Sequence, residues 1–100
     1  MPGPKFAWDP AKARANLAKH GVSFEQARLA FDDPLAIEEV DPHPHEDRVR
    51  LIGLADGTVL FVVYTELDDD GALVIRIISA REATRHEKKR YYSFDRNREP

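Results

Sequence analysis

The groups in this chain that could do chemistry are mostly cations. Arg76, Ser79 and Arg81 stand in the run VIRIISAR at residues 74–81, and Arg85, Lys88, Tyr91 and Tyr92 follow within a dozen positions. Arg48 and Arg50 alternate earlier in the chain, and Lys19 and His20 precede Gly21. Guanidinium groups bind phosphate bidentately and keep their charge at any physiological pH. Imidazole is the side chain that titrates near neutrality. The chain has no cysteine, no glycine-rich phosphate loop, no nucleophile elbow and no zinc-protease helix. Cations without a nucleophile of their own suit RNA, whose 2′-hydroxyl can attack the adjacent phosphodiester. A protein then has only to position the strand, neutralise the phosphorane and move two protons.

The chain is 100 residues long, with a formal net charge of −3. That length suits one domain, residues 1–100, with a core over about 6–92 and a tail over 93–100. The charge is unevenly spread: residues 1–23 and 81–100 each carry +3, and residues 24–80 carry −9. Two basic ends folded to one side would make a positive patch on an acidic body, although the same segregation also suits a plain solvated surface. No apolar run approaches a membrane span and the N-terminus has no signal-peptide core, so a cytoplasmic protein without a membrane partner is expected. No cofactor is expected.

The elements that must position these groups follow from pattern. Phe6-Ala7-Trp8 is a short apolar strand, and Asp9-Pro10 opens a helix that Gly21 closes. Ser23 to Gln26 has capping-box spacing, and Phe24, Ala27, Ala30 and Phe31 continue a second helix that Asp33-Pro34 ends. Four antiparallel strands are then predicted over 35–40, 48–55, 58–66 and 73–79, with the Asp56-Gly57 and Asp70-Gly71 turns between the later ones. The prolines of 41–45 make a loop. A last helix is predicted to start near Arg81 or Glu82 and run to about Tyr92. The class is α+β, with helices gathered on one face of a sheet.

Strict alternation puts Leu73, Ile75, Ile77 and Ser79 on one face and Val74, Arg76 and Ile78 on the other. Arg76 among apolar neighbours needs either a carboxylate from the acidic middle or an anionic ligand. Arg48 and Arg50 share a face, and near Arg76 they would converge with it. On the last helix Arg81, Arg85, Lys88 and Tyr92 form one stripe, either a solvated face or a surface completed by a ligand or partner. Lys19 and His20 either complement a helix C-terminus or serve as a phosphate contact and a titratable group. His43 and His45 on their loop are expected to bind no metal.

Several stretches together resemble one family. They are FAWDPAK at 6–12, Asn16, KHGVSFE at 19–25, Phe31 with Asp33-Pro34, Asp47-Arg48, Ile52-Gly53, RIISAR at 76–81, Glu87 and Tyr91. In collinear order over about 6–92 they resemble the BrnT toxins, the ribonuclease toxins of BrnT/BrnA type II toxin-antitoxin systems. The resemblance implies a RelE/ParE-like fold, RNA cleavage that inhibits translation, and neutralisation by a DNA-binding BrnA-like ribbon-helix-helix antitoxin through which alone operator DNA is bound. The matching site residues are Lys19, His20, Arg48, Arg76, Ser79 and Arg81. Arg76 and Arg81 are expected to stabilise the transition state, and Lys19, Arg48, Ser79, Arg85 and Lys88 to bind RNA phosphates. Proton transfer is expected of His20, with Tyr91 as a second candidate. The loop at 41–47 departs from the family pattern, because Pro44 follows His43.

Two other functions suit the same chain. A ParE-like toxin would bind and inhibit a topoisomerase without chemistry, and a structural co-repressor would only complete the antitoxin's operator-binding unit. One fold can serve all three, so fold does not choose among them.

Overall fold

A computed structural model describes residues 3–97 of the chain. In order, its elements are β1 (Lys5–Ala7), α1 (Pro10–His20), α2 (Phe24–Leu29), a 3-10 turn at Ala30–Asp32, β2 (Ile37–Asp41), β3 (Arg48–Ala55), β4 (Thr58–Asp69), β5 (Ala72–Glu82) and α3 (Arg85–Asn97). The α+β class stands. The sheet, however, has five strands in the order β1-β5-β4-β3-β2 and is mixed, because β1 pairs parallel to β5 at Lys5–Val74, Phe6–Ile75 and Ala7–Arg76. A three-residue strand carries too little pattern to reveal a distant partner, so the sequence alone suggested a four-stranded antiparallel sheet.

Local chemistry sets the helix ends. The Asp9 carboxylate accepts the Ala11 N–H at 2.8 Å, and Gly21, at φ 71°, donates its N–H to the Leu17 carbonyl at 2.8 Å. Ser23 Oγ accepts the Gln26 N–H at 3.0 Å. The hairpin turn Asp56-Gly57 has both residues at positive φ, as a two-residue primed turn requires.

One side of the sheet is covered by α1 and α2. Phe24, Ala27 and Val22 pack there on Leu51, Leu60, Val62, Tyr64, Ile75, Ile77 and Ala80. Phe6 and Phe31 meet edge-on at 5.1 Å between ring centroids, and Phe31 meets Tyr64 at 4.9 Å, so the N-terminal strand is tied through aromatic contacts to the 3-10 turn after α2 and to β4. The other side carries a smaller apolar cluster of Ile52, Val59, Ala83 and Tyr91, roofed by α3.

Asn16 joins the two halves. Beyond Ala7, β5 has no strand on its β1 side, and the Asn16 side chain takes that place. Its Oδ1 accepts the Ala80 N–H at 3.1 Å, while its Nδ2 donates to the Ala80 carbonyl at 2.8 Å and to the Val22 carbonyl at 3.0 Å. An amide presents a donor and an acceptor as a backbone does, so a helix residue pairs the open edge of a strand.

Candidate functional site

The face of the sheet away from α1 and α2 holds the arginines, and a β-bulge brings Ser79 and Arg81 to the same side as Arg76. Across β4 and β5, Val63 pairs with Ser79 but Tyr64 pairs with Ile77, so Ile78 is an extra residue. Alternation shifts by one at that point. Ile75 and Ile77 face the helix-covered core, and beyond the bulge it is Ala80, fully buried, that faces it. Ser79 therefore lies on the Arg76 side, not with Ile75 and Ile77 as strict alternation predicts.

Register then lays the face out in rows. Arg76 is opposite Thr65, and continuing the β3–β4 register places Arg48 on the other flank of Thr65, with Asp41 beyond it. The next row is Glu39, Arg50, Val63 and Ser79, and the third is Ile37, Ile52, Phe61 and Arg81. The third row is apolar and lies under α3. The first two are polar, and the loop at 42–47 borders them. Its Glu46 reaches both guanidinium groups of the first row: Oε1 is 3.0 Å from Arg48 Nε and Oε2 is 3.8 Å from Arg76 Nη2. Thr65 between them is buried, and its hydroxyl has no hydrogen-bond partner among the described residues.

Carboxylates neutralise much of this charge in the free protein. Arg50 faces Glu39 and Asp41, each at 3.5 Å. Arg90 of α3 donates to Glu39 at 2.7 Å, and that bond holds Glu39 below the usual carboxylate pKa against the opposing effect of burial, with the charges of Arg90 and Arg50 adding to it. Glu46 is likewise held low, first by its hydrogen bond from Arg48. Arg76 is 45% exposed, and among the described residues its one ion pair is the long contact to Glu46. Of the two alternatives for Arg76, a carboxylate from the acidic middle is present, and it is a loose one.

The remaining expected site residues are distributed as follows. Arg81 belongs to β5, not to the last helix, which starts at Arg85, so the stripe of Arg81, Arg85, Lys88 and Tyr92 does not form. Arg81 grips Glu87 through two bonds of 2.8 and 2.9 Å and lies over the Phe61 ring at 4.2 Å. That grip raises the Arg81 pKa and lowers that of Glu87. Glu87 also accepts the Thr84 N–H at 2.8 Å, while Thr84 Oγ1 accepts the Glu87 N–H at 3.2 Å. This is a capping box, and the spelling Thr84-x-x-Glu87 was its sequence signal for the helix start. Lys88 pairs with Glu82 at 2.6 Å, and Arg85 is exposed at the start of α3.

Tyr91 is buried under α3 and donates to Asp33 Oδ2 at 2.5 Å. Burial works to raise the Asp33 pKa, but the bonds from Tyr91, Leu54 N–H and Leu35 N–H outweigh it and hold the carboxyl low. Lys19 and His20 are exposed on the last turn of α1, the helix whose Ala13 packs on the opposite core, so the structure does not gather them with Arg48 and Arg76. Glu46 and Thr65 escaped the sequence reading altogether. Nothing in their types marks them; only the register and the loop's path across the face do.

Among the described residues no group of three or more His, Asp and Glu is placed to hold a metal ion, and no helix is long and apolar enough to cross a membrane. A small α+β domain that presents arginines on an open sheet face has the chemistry to receive a phosphate-bearing ligand. Its sequence matches the family described as the ribonuclease toxin BrnT of type II toxin-antitoxin systems over residues 8–87, and the chain belongs to that family. No curated protein matches it. Membership gives the ribonuclease class, an RNA target and an antitoxin partner at that level of description.

Proposed function

We propose that the chain is a metal-independent endoribonuclease with a RelE/ParE-like fold that cuts RNA through the substrate's own 2′-hydroxyl and so inhibits translation. A BrnA-like ribbon-helix-helix antitoxin neutralises it and carries the contact with operator DNA. The observation that supports this most is the first row of the open face, where Arg48 and Arg76 flank the buried, unpartnered Thr65 hydroxyl. Two guanidinium groups can share the non-bridging oxygens of one phosphodiester and neutralise the charge that builds on them in the transition state. Arg50 and Ser79 in the next row extend the surface for the neighbouring phosphate.

In this reading Arg76 and Arg48 take transition-state stabilisation. Arg81, already bidentate to Glu87, fixes the start of α3 and lines the end of the groove. Tyr91 anchors α3. Lys19, His20, Arg85 and Lys88 stand outside the reacting centre, as peripheral contacts for a long RNA.

The test is cleavage of a defined RNA by the purified, antitoxin-free protein in EDTA, with and without ribosomes. Cutting that survives EDTA, leaves 2′,3′-cyclic phosphate ends and falls by roughly 100- to 1000-fold in Arg76→Ala is expected from the loss of one preorganised charge donor. Cutting abolished by EDTA overturns metal independence. An Arg76→Ala protein as fast as wild type overturns the site.

A further inference from the structure

We propose that Glu46 and His43, on the loop at 42–47, are the proton-transfer pair of this site. Glu46 takes the proton of the attacking 2′-hydroxyl, and His43 gives one to the departing 5′-oxygen. The inference rests on the ribonuclease reading above. That reading supplies charge but no base, because arginine does not release its proton at physiological pH. Nor can the base be borrowed from Tyr91, which is buried against Asp33, or from His20, which stands on α1.

The loop brings the missing groups to the arginines. The Glu46 carboxylate spans Arg48 and Arg76 at 3.0 and 3.8 Å, the two arginines that flank Thr65 in the first row. It is thus the anion that occupies the phosphate seat of the free protein. A phosphodiester held by the same two guanidinium groups arrives beside this carboxylate, with the 2′-hydroxyl of its own ribose adjacent. Within such reach, proton abstraction needs no further motion of the strand.

The electrostatics run the same way. In the free protein the hydrogen bond from Arg48 keeps Glu46 ionised, with burial opposing and the charges of Arg48, Arg76 and His43 assisting. A bound phosphate neutralises the two arginines and sets a like charge beside Glu46, which raises the proton affinity of the carboxylate when a base is required. The other ionisable groups around it are Asp41 of β2, Arg50 of β3, and His45 and Asp47 of the loop itself.

His43 and Glu46 line the same hollow of the loop, and the His43 ring stands 6.0 Å from that of His45. The His45 N–H donates to His43 Nδ1 at 3.3 Å in the neutral ring, a bond that gives way when that nitrogen takes the proton the acid form carries. The loop lines an open hollow of about 430 Å³, bordered by Asp41, His43, Pro44 and Glu46, with room for a leaving nucleotide. In the step, the 2′-oxygen forms a bond to phosphorus and the bond from phosphorus to the 5′-oxygen breaks. Glu46 gains one proton and the imidazolium of His43 loses one. The products are a 2′,3′-cyclic phosphate and a 5′-hydroxyl.

The experiment compares wild type, Glu46→Gln and His43→Gln on a defined RNA across pH, and measures their binding to the same RNA with 2′-deoxy substitutions that block cleavage. We expect Glu46→Gln to lose 100-fold or more in rate, the size of a general-base contribution. It should bind the uncleavable RNA as tightly as wild type or more tightly, and lose the acid limb of the pH profile. His43→Gln should lose rate by a similar factor while binding the uncleavable RNA as wild type does. Glu46→Gln that cleaves at the wild-type rate overturns the inference and leaves the ribonuclease reading intact. A faster Glu46→Gln also overturns it, and makes Glu46 a plug. A wild type that cuts no RNA, free or on ribosomes, overturns both.

Discussion

Replacing Asn16 with alanine should cost this domain a large part of its stability, although the change improves the local helix. The side chain is 8% exposed and makes three hydrogen bonds, one accepted from Ala80 N–H and two donated to the carbonyls of Ala80 and Val22. Removing it leaves three buried backbone groups without partners. At about 1 kcal/mol for each bond the loss is about 3 kcal/mol, and alanine's better helix propensity returns roughly 0.5 kcal/mol. The net, about 2.5 kcal/mol, is a sizeable share of the 5–15 kcal/mol typical of a domain. A urea titration should show the midpoint falling by about 2 M with an unchanged slope, and a thermal melt should drop by roughly 10–20 °C. Asn16→Asp makes the control. It keeps the acceptor for Ala80 N–H but turns an acceptor toward two carbonyls, so it should be at least as unstable as Asn16→Ala. If Asn16→Ala unfolds within 0.5 kcal/mol of wild type, the pairing of a helix amide with the sheet edge contributes nothing and the argument fails.

Other outcomes can be read on the same protein. At Gly53 an added Cβ would sit 2.9 Å from the Ala30 carbonyl oxygen and 3.1 Å from the Ala36 Cβ, so Gly53→Ala should cost about 1–3 kcal/mol by urea titration, as overpacking does. Asp33 and Glu87 have folded pKa values below their ordinary ones, so the stability they contribute is complete above the usual carboxylate range and disappears as pH falls through the folded values. Melting temperature should therefore decline below about pH 4, and Asp33→Asn should flatten that decline while lowering the plateau. Thr84→Ala removes the cap of α3 and should cost about 1 kcal/mol, seen first as faster amide exchange in residues 85–88. RNA affinity should fall steeply with salt, and Arg76→Ala should make the slope of log affinity against log salt shallower by about 0.7, the loss of one single-strand phosphate contact.

The sequence disclosed elements better than faces. Strand Arg48–Ala55 and the Asp56-Gly57 turn were legible because alternation and turn chemistry are local. The start of α3 was misjudged although Thr84 and Glu87 spell it, because the basic run from Arg81 onward looked helical by charge spacing. Arg48 and Arg76 could be singled out by type, but the partner each would have could not. That depends on register across three strands and on a loop that brings Glu46 over them. The family stretches combine two kinds of residue. Asn16, Asp33, Gly53, Glu87 and Tyr91 all have packing or hydrogen-bonding duties in the fold, whereas Arg48 and Arg76 pair with one loop carboxylate, Glu46, closely at Arg48 and loosely at Arg76. Resemblance alone would have treated both groups as candidates for the chemistry. His20 shows the hazard: it sits in a distinctive motif, yet α1 carries it away from the arginine rows.

The extra residue at Ile78 means that the polarity of this strand is kept by counting. Upstream of it odd positions are oily and even ones wet; downstream the parity reverses. Take one residue out at that point and every side chain from Ser79 to Glu82 changes sides at once, sending Arg81 inward and Ala80 out to water. Substitutions at the arginines would each remove one contact. A single-codon deletion there would act like a frameshift written in three dimensions, moving Ser79, Arg81 and the buried Ala80 to the wrong faces together while leaving the composition of the chain almost untouched.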